Sequence, residues 1–262
     1  MNAWSDWQNN FDLAQAALVW QVEMGVDEAI CDAPQNRYEA AERPARKPAA
    51  TPAPAPSAPE DPVAAAQAAA DAAPDLKALQ DALATFPHCE LRMGARNLVF
   101  CDGQAGARVM IVGEAPGREE DRQGRPFVGE AGQLLDRMFE AISMRRDASD
   151  PARALYITNI LPWRPPQNRD PSPEERAMMR PFVLRHIALA QPDIVVLMGR
   201  ISASTLLDTS EGITRIRGQW REVMGRPALP MLHPAYLLRN PAAKREAWAD
   251  LLELQARLRE MT

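Results

Sequence analysis

Cysteine is scarce in this chain: Cys31, Cys89 and Cys101 are all it has. An odd number at wide spacing provides no disulfide framework and no Cys-x-x-Cys metal pair, so reduced thiols are expected. Any apolar run near the roughly 20 residues needed to cross a bilayer is also missing. The start, Met1-Asn2-Ala3-Trp4-Ser5-Asp6-Trp7, lacks the basic stretch of a secretory leader, and a cytoplasmic protein with no membrane partner is the expectation. A positive overall charge is absent too, since the formal net charge is −5. The acids are concentrated early, however. Up to Ala84 they run from Asp6 and Asp12 to Asp75 and Asp81, against only Arg37, Arg43, Arg46, Lys47 and Lys77, and the remainder is mildly basic. Such a remainder permits contact with a few phosphates without requiring it.

What is present has the size of one substantial core plus an accessory segment. Apolar residues from Phe11 to Met24 recur at nearly helical spacing and predict an amphipathic helix in an N-terminal extension, residues 1–43. That helix either docks on the main domain or binds a protein partner. Residues 44–74 are rich in proline and alanine and read as an extended linker. The catalytic domain is then expected over 75–262.

From there, short aliphatic runs at 108–112, 154–159, 194–198 and 229–232 alternate with helical stretches near 129–143, 173–190, 200–208 and 243–260. Pro173-Glu174-Glu175 is a favourable helix start, because proline suits the first turn and acids suit the positive end of the dipole. The fold class predicted is α/β: a three-layer α/β/α sandwich around a mainly parallel four-stranded sheet. Its ligand crevice would lie beyond the carboxyl ends of the strands.

Three segments at those ends carry unusual residues. Gly113-Glu114-Ala115-Pro116-Gly117 makes a sharp turn that brings in Glu114, with Glu120 close behind. No Gly-Lys-Ser/Thr follows it, so it is not a phosphate loop. Asn159 ends the second run, and a side-chain amide offers both a donor and an acceptor, as reading a pyrimidine edge requires. A strand-end Asn also serves commonly as a cap or turn former. His233, immediately before Pro234, sits in a rigid loop where it can donate to a developing anion. His88 and His186 lack such settings and read as structural or surface residues.

Taken together, Gly113-Glu114-Ala115-Pro116-Gly117, Gly124-Arg125-Pro126-Phe127-Val128-Gly129, Ile157-Thr158-Asn159-Ile160, Arg164-Pro165-Pro166-Gln167-Asn168-Arg169 and His233-Pro234-Ala235-Tyr236-Leu237-Leu238-Arg239 resemble the motifs of family 4 uracil-DNA glycosylases, in order and spacing, from about Phe86 onward. The resemblance implies a uracil-glycosylase fold and a monofunctional enzyme that cleaves uracil from single- or double-stranded DNA as a monomer and leaves an abasic site. It implies that Phe127 stacks on the extruded base, Asn159 reads its edge with Gly113 and Ala115 nearby, and His233 stabilises the leaving base. Glu114, or alternatively Glu120, would orient or activate water. Arg164, Arg169 and Arg239 would hold phosphates, although solvated surface arginines read equally well.

Members of that family hold an iron–sulfur cluster on four cysteines, and here the pattern departs. Phe86, Trp163 and Met179 stand at three of those positions and only Cys89 remains. One thiolate cannot hold a four-iron cluster, so no metal or other cofactor is expected and an apolar plug is expected in its place. A relative that cross-links to its abasic product carries an inserted basic loop with a histidine after Pro-Pro. Gln167-Asn168-Arg169-Asp170-Pro171 has neither, and turnover is expected. The rival readings are a catalytically weak DNA-binding or protein-interaction member of the same fold, and a glycosylase for another deaminated base such as hypoxanthine.

Overall fold

The computed structural model describes residues 11–25 and 61–261, in two units, one of them confined to Met1–Ser57. In that unit a helix, α1 (Phe11–Glu23), stands where the N-terminal extension was expected. It is not amphipathic as expected. Leu18, Val19 and Trp20 are consecutive and all exposed, so successive turns of about 100° carry apolar side chains around the helix instead of along one stripe. The rest of the extension beyond residue 25, and residues 44–60 of the linker, lie outside the described residues.

The second unit begins before the expected boundary at 75. Pro62–Ala72 form helix α2, with the Asp61 carboxylate accepting the Val63 N–H at 3.0 Å and Pro62 in the first turn. The correction to the linker has a physical reason. Alanine is the best helix former, and here Ala66 and Ala70 are fully buried, their small side chains allowing close approach to the rest of the unit. Arg185 then fastens the helix end, donating from Nε and Nη2 to the Ala73 carbonyl at 3.0 and 2.7 Å. Helices α3 (Leu76–Thr85, capped by Asp75) and α4 (Leu91–Gly94) complete this layer.

The remaining elements follow in order: β1 (Asp102–Gly103), β2 (Val109–Gly113), α5 (Arg118–Gln123), α6 (Glu130–Glu140), β3 (Leu155–Asn159), α7 (Pro173–Ala190), β4 (Ile194–Met198), α8 (Arg200–Leu207), α9 (Ile213–Ile216), β5 (Arg221–Val223), β6 (Arg226–Met231), α10 (Pro234–Arg239) and α11 (Lys244–Glu260). The sheet has six strands in the order β1-β3-β2-β4-β6-β5. Its four central strands are the four expected, and they pair in parallel. Two short antiparallel edge strands, β1 and β5, raise the number from four to six.

Side chains alternate across the sheet as the pleat requires. Val109 and Ile111 face the layer that supplies Leu135, Phe139 and Leu251, from α6 and α11. Met110 and Val112 face Val183, Ile187 and Leu206, from α7 and α8. The expected three layers result. Because the central strands run in parallel, β2, β3, β4 and β6 all release their chains at one edge. In the β2–β3 register, Gly113 lies opposite Asn159, and in β4–β6, Met198 lies opposite Met231.

Candidate active site

At that edge lies a cavity of about 600 Å³, lined among others by Glu114, Ala115, Glu120, Phe127, Asn159 and His233. Four separate segments of sequence therefore meet in one space.

Gly113 does not line the cavity, but it makes the meeting sterically feasible. A Cβ there would lie 2.3 Å from Asn159 Oδ1 and 2.5 Å from the Phe127 ring. Hydrogen bonds from the Ile160 and Leu161 amides to the Gly113 and Glu114 carbonyls, each 3.0 Å, tie the two strand exits together. Asn159 is buried, and among the described residues its side-chain amide has no protein hydrogen-bond partner. Lining the cavity, this amide is placed to be satisfied by something entering it.

Glu114 is similarly uncommitted, without a hydrogen bond to its carboxylate among the described residues. Burial pushes its carboxyl above the usual range and the like charge of Asp170 adds to this, while Arg200 and Arg176 oppose it. Glu120 has a different task. Its Oε2 accepts the Gly117 N–H at 3.1 Å, and its Oε1 accepts the Val128 and Gly129 N–H groups at 2.9 and 2.8 Å. With three backbone donors on it, this carboxylate clasps the loop that carries Phe127.

His233 caps α10, its Nδ1 accepting the Ala235 N–H at 3.2 Å. That bond leaves Nε2 as the donor of the neutral ring. Burial, joined by the Arg239 guanidinium and opposed by a smaller pull from Glu120, depresses the imidazolium to about 4. At neutral pH the ring is uncharged yet still able to donate. Its centroid lies 5.4 Å from that of Phe127. Gly199, with φ of +97°, lets β4 turn beneath it, since a Cβ would sit 3.1 Å from His233 Cβ.

The three arginines expected to touch DNA differ. Arg164 does not line the cavity, and its Nε donates to Asn168 Oδ1 at 2.7 Å. That bond braces a turn in which Gln167 and Asn168 are both left-handed. Arg169 reaches the cavity wall, but its guanidinium is forked onto Glu175 at 2.9 and 2.6 Å. Arg239 lines the cavity and has no hydrogen-bond or ion-pair partner among the described residues. Sequence reasoning missed Asp170 and Arg200, which also line the cavity and pair at 2.6 Å. The location of Arg200 just past β4 was the available signal, whereas Asp170 lies well beyond the end of β3 and gave none.

Phe86, Cys89, Trp163 and Met179 belong to one buried apolar cluster with Phe182. Burial raises the Cys89 thiol, the reverse of what a metal thiolate needs. Cys101 packs against the edge of the same cluster, beside Tyr156, and burial raises its thiol too; Cys31 lies outside the described residues. Two thiols, both raised by burial among hydrocarbon side chains, do not fit a four-iron cluster, which takes four thiolates. His186, expected to be a structural or surface residue, is buried, stacked on Phe100 at 4.4 Å and bonded to the Tyr156 hydroxyl at 2.8 Å.

Residues 100–252 match the Uracil DNA glycosylase superfamily, and the chain belongs to it. Within that superfamily it is similar to proteins named Type-4 uracil-DNA glycosylase. The Thermotoga maritima protein is 40% identical over 154 residues, spanning 58% of this chain and 77% of the relative. Those of Archaeoglobus fulgidus and Pyrobaculum aerophilum are 36% and 35% identical, covering 63% and 68% of this chain and 84% and 91% of theirs.

Proposed function

We propose that this protein is a monofunctional uracil-DNA glycosylase, which flips uracil out of DNA and hydrolyses its N-glycosidic bond in base excision repair. The observation that carries this reading is the convergence of Phe127, Asn159, Glu114 and His233 on one cavity. Their types match the chemistry. The extruded base stacks on Phe127, and its pyrimidine edge meets the unpartnered amide of Asn159. As the N1–C1′ bond breaks, its electron pair leaves on the uracil ring, where a neutral His233 donates to the developing oxyanion. Water adds to C1′, oriented by Glu114, and gives its proton to that carboxylate, which also favours the cationic sugar.

Arg239 holds a phosphate at the cavity mouth. The enzyme acts as a cytoplasmic monomer with neither nucleotide nor iron–sulfur cofactor, and its N-terminal helix is available to a protein partner. The test is an end-labelled oligonucleotide with one uracil, incubated with the protein and treated with alkali. Cleavage at uracil by wild type, lost in His233→Ala and Asn159→Ala, is the expected result. No cleavage on single strands, U·G or U·A sinks the reading.

A further inference from the structure

Phe127 holds a left-handed backbone, with φ of +53°, and only 6% of its surface is exposed. Bulky residues keep that conformation only where their surroundings over-determine it. Glu120 secures the amides that follow Phe127. The carbonyls of Pro126 and Phe127 itself are secured by Arg146, which lies in the loop between α6 and β3.

The Arg146 side chain is 11% exposed. It donates to the Phe127 carbonyl from Nη2 at 2.8 Å and to the Pro126 carbonyl from Nη1 at 3.0 Å. Its Nη1 also reaches Asp102 Oδ2 at 2.7 Å, and its Nε reaches Asp136 Oδ1 at 2.8 Å. Asp102 belongs to edge strand β1 and Asp136 to α6, and neither lines the cavity. From α6, Gly132 presses so closely that a Cβ would lie 1.8 Å from the Phe127 oxygen. The guanidinium thus joins two rigid elements to two consecutive carbonyls of the cavity wall, an arrangement that a planar fork of donors provides and a single ammonium does not.

We propose that Arg146 is a positioning residue for base recognition: with Glu120 it clamps the Phe127 peptide from both sides and sets the spacing between the Phe127 ring and the Asn159 amide. This inference rests on the uracil reading only for the identity of the base. Nothing reacts at Arg146, so its effect passes entirely through the ring.

Single-turnover excision of uracil is to be compared among wild type, Arg146→Gln, Phe127→Ala and the double variant. Arg146→Gln slows wild type roughly tenfold or more, as expected for a stacking group displaced by a fraction of an ångström. It slows Phe127→Ala by less than about twofold, because coupled residues are not additive. Equal slowing in both backgrounds overturns the proposal. Independently of activity, protein labelled with 4-fluorophenylalanine reports the ring by fluorine NMR, with the Phe127 signal assigned by its loss in Phe127→Ala. Arg146→Gln shifts or broadens that signal and leaves those of Phe139 and Phe182 in place, whereas an unmoved Phe127 signal overturns the proposal. Should Arg146→Gln fail to fold, Arg146→Lys keeps the charge without the fork and gives a smaller change of the same sign. A wild type inactive on uracil, with the Phe127 signal still moving in the variant, removes the substrate reading and leaves the clamp standing.

Discussion

Gly113 and Asn159 face each other at the last register pair of two parallel strands, so close that a methyl group on the glycine would lie 2.3 Å from the asparagine Oδ1. The smallest side chain in the site therefore controls the position of its reading group. Gly113→Ala is expected to displace both Asn159 and Phe127 and to lower single-turnover excision by about a hundredfold, the cost of roughly 1 Å of misplacement. Its melting curve should remain cooperative. Activity within about threefold of wild type would show that the contact is relieved without consequence.

Glu120→Gln tests the clasp on the Phe127 loop. The carboxylate serves three N–H donors, and an amide presents one oxygen and a donor that opposes them. We expect a loss of about 1–3 kcal/mol in urea unfolding, the cost of leaving buried donors unsatisfied, together with slower excision. Unchanged stability with abolished activity would instead assign Glu120 to the chemistry.

His233 supplies a pH signature. Its folded value, about 4, lies below the ordinary histidine value of 6.5. Between these the unfolded chain binds the extra proton, so the histidine's contribution to stability is full above about 6.5 and is lost as pH falls toward 4. Glu114 and Asp250, both raised by burial, act in the opposite sense in the acid range. The effect is therefore read by difference: His233→Gln should lose less stability than wild type between pH 7 and pH 4.5 in urea titrations. Parallel curves would refute a neutral imidazole.

The arginines separate in salt titrations of DNA binding. Arg239→Ala should weaken binding and reduce the slope of log affinity against log salt by about one, as for one lost phosphate contact. Arg169→Ala, which removes a partner of Glu175, should instead loosen the start of α7 with little change in slope. The reverse pattern would reassign the two.

Trp163→Ala and Met179→Ala test the apolar cluster. Each side chain is almost wholly buried, and truncation should cost about 3–5 and 2–5 kcal/mol respectively. Stoichiometric iron and sulfide in anaerobically purified protein would overturn this account of the cluster.

The central strands were legible because each is an unbroken aliphatic run, such as Ile194–Met198, long enough to stand out from its neighbours. The edge strands β1 and β5 span two and three residues and carry no period to detect. Helix α2 was hidden by its surroundings, since alanine beside many prolines looks like tether, and only burial of Ala66 and Ala70 reveals the packing. In the site, Glu114, Asn159 and His233 could be picked out because each lies at or just past a strand end. Arg146 could not, because half of its partners are main-chain carbonyls, which leave no trace in residue identity. The engagement of Arg164 and Arg169 was equally invisible, since a guanidinium paired within the fold and one left free share the same letter.

On the proposed cofactor-free reading, the lobe in which Phe86, Trp163 and Met179 pack together needs nothing that the polypeptide does not already carry. Such a lobe matures in the act of folding, without delivery of iron or sulfide by other proteins. It also offers peroxide no inorganic centre to dismantle. On that reading, oxidative stress of the kind that damages DNA would find no inorganic centre whose loss could unmake the fold.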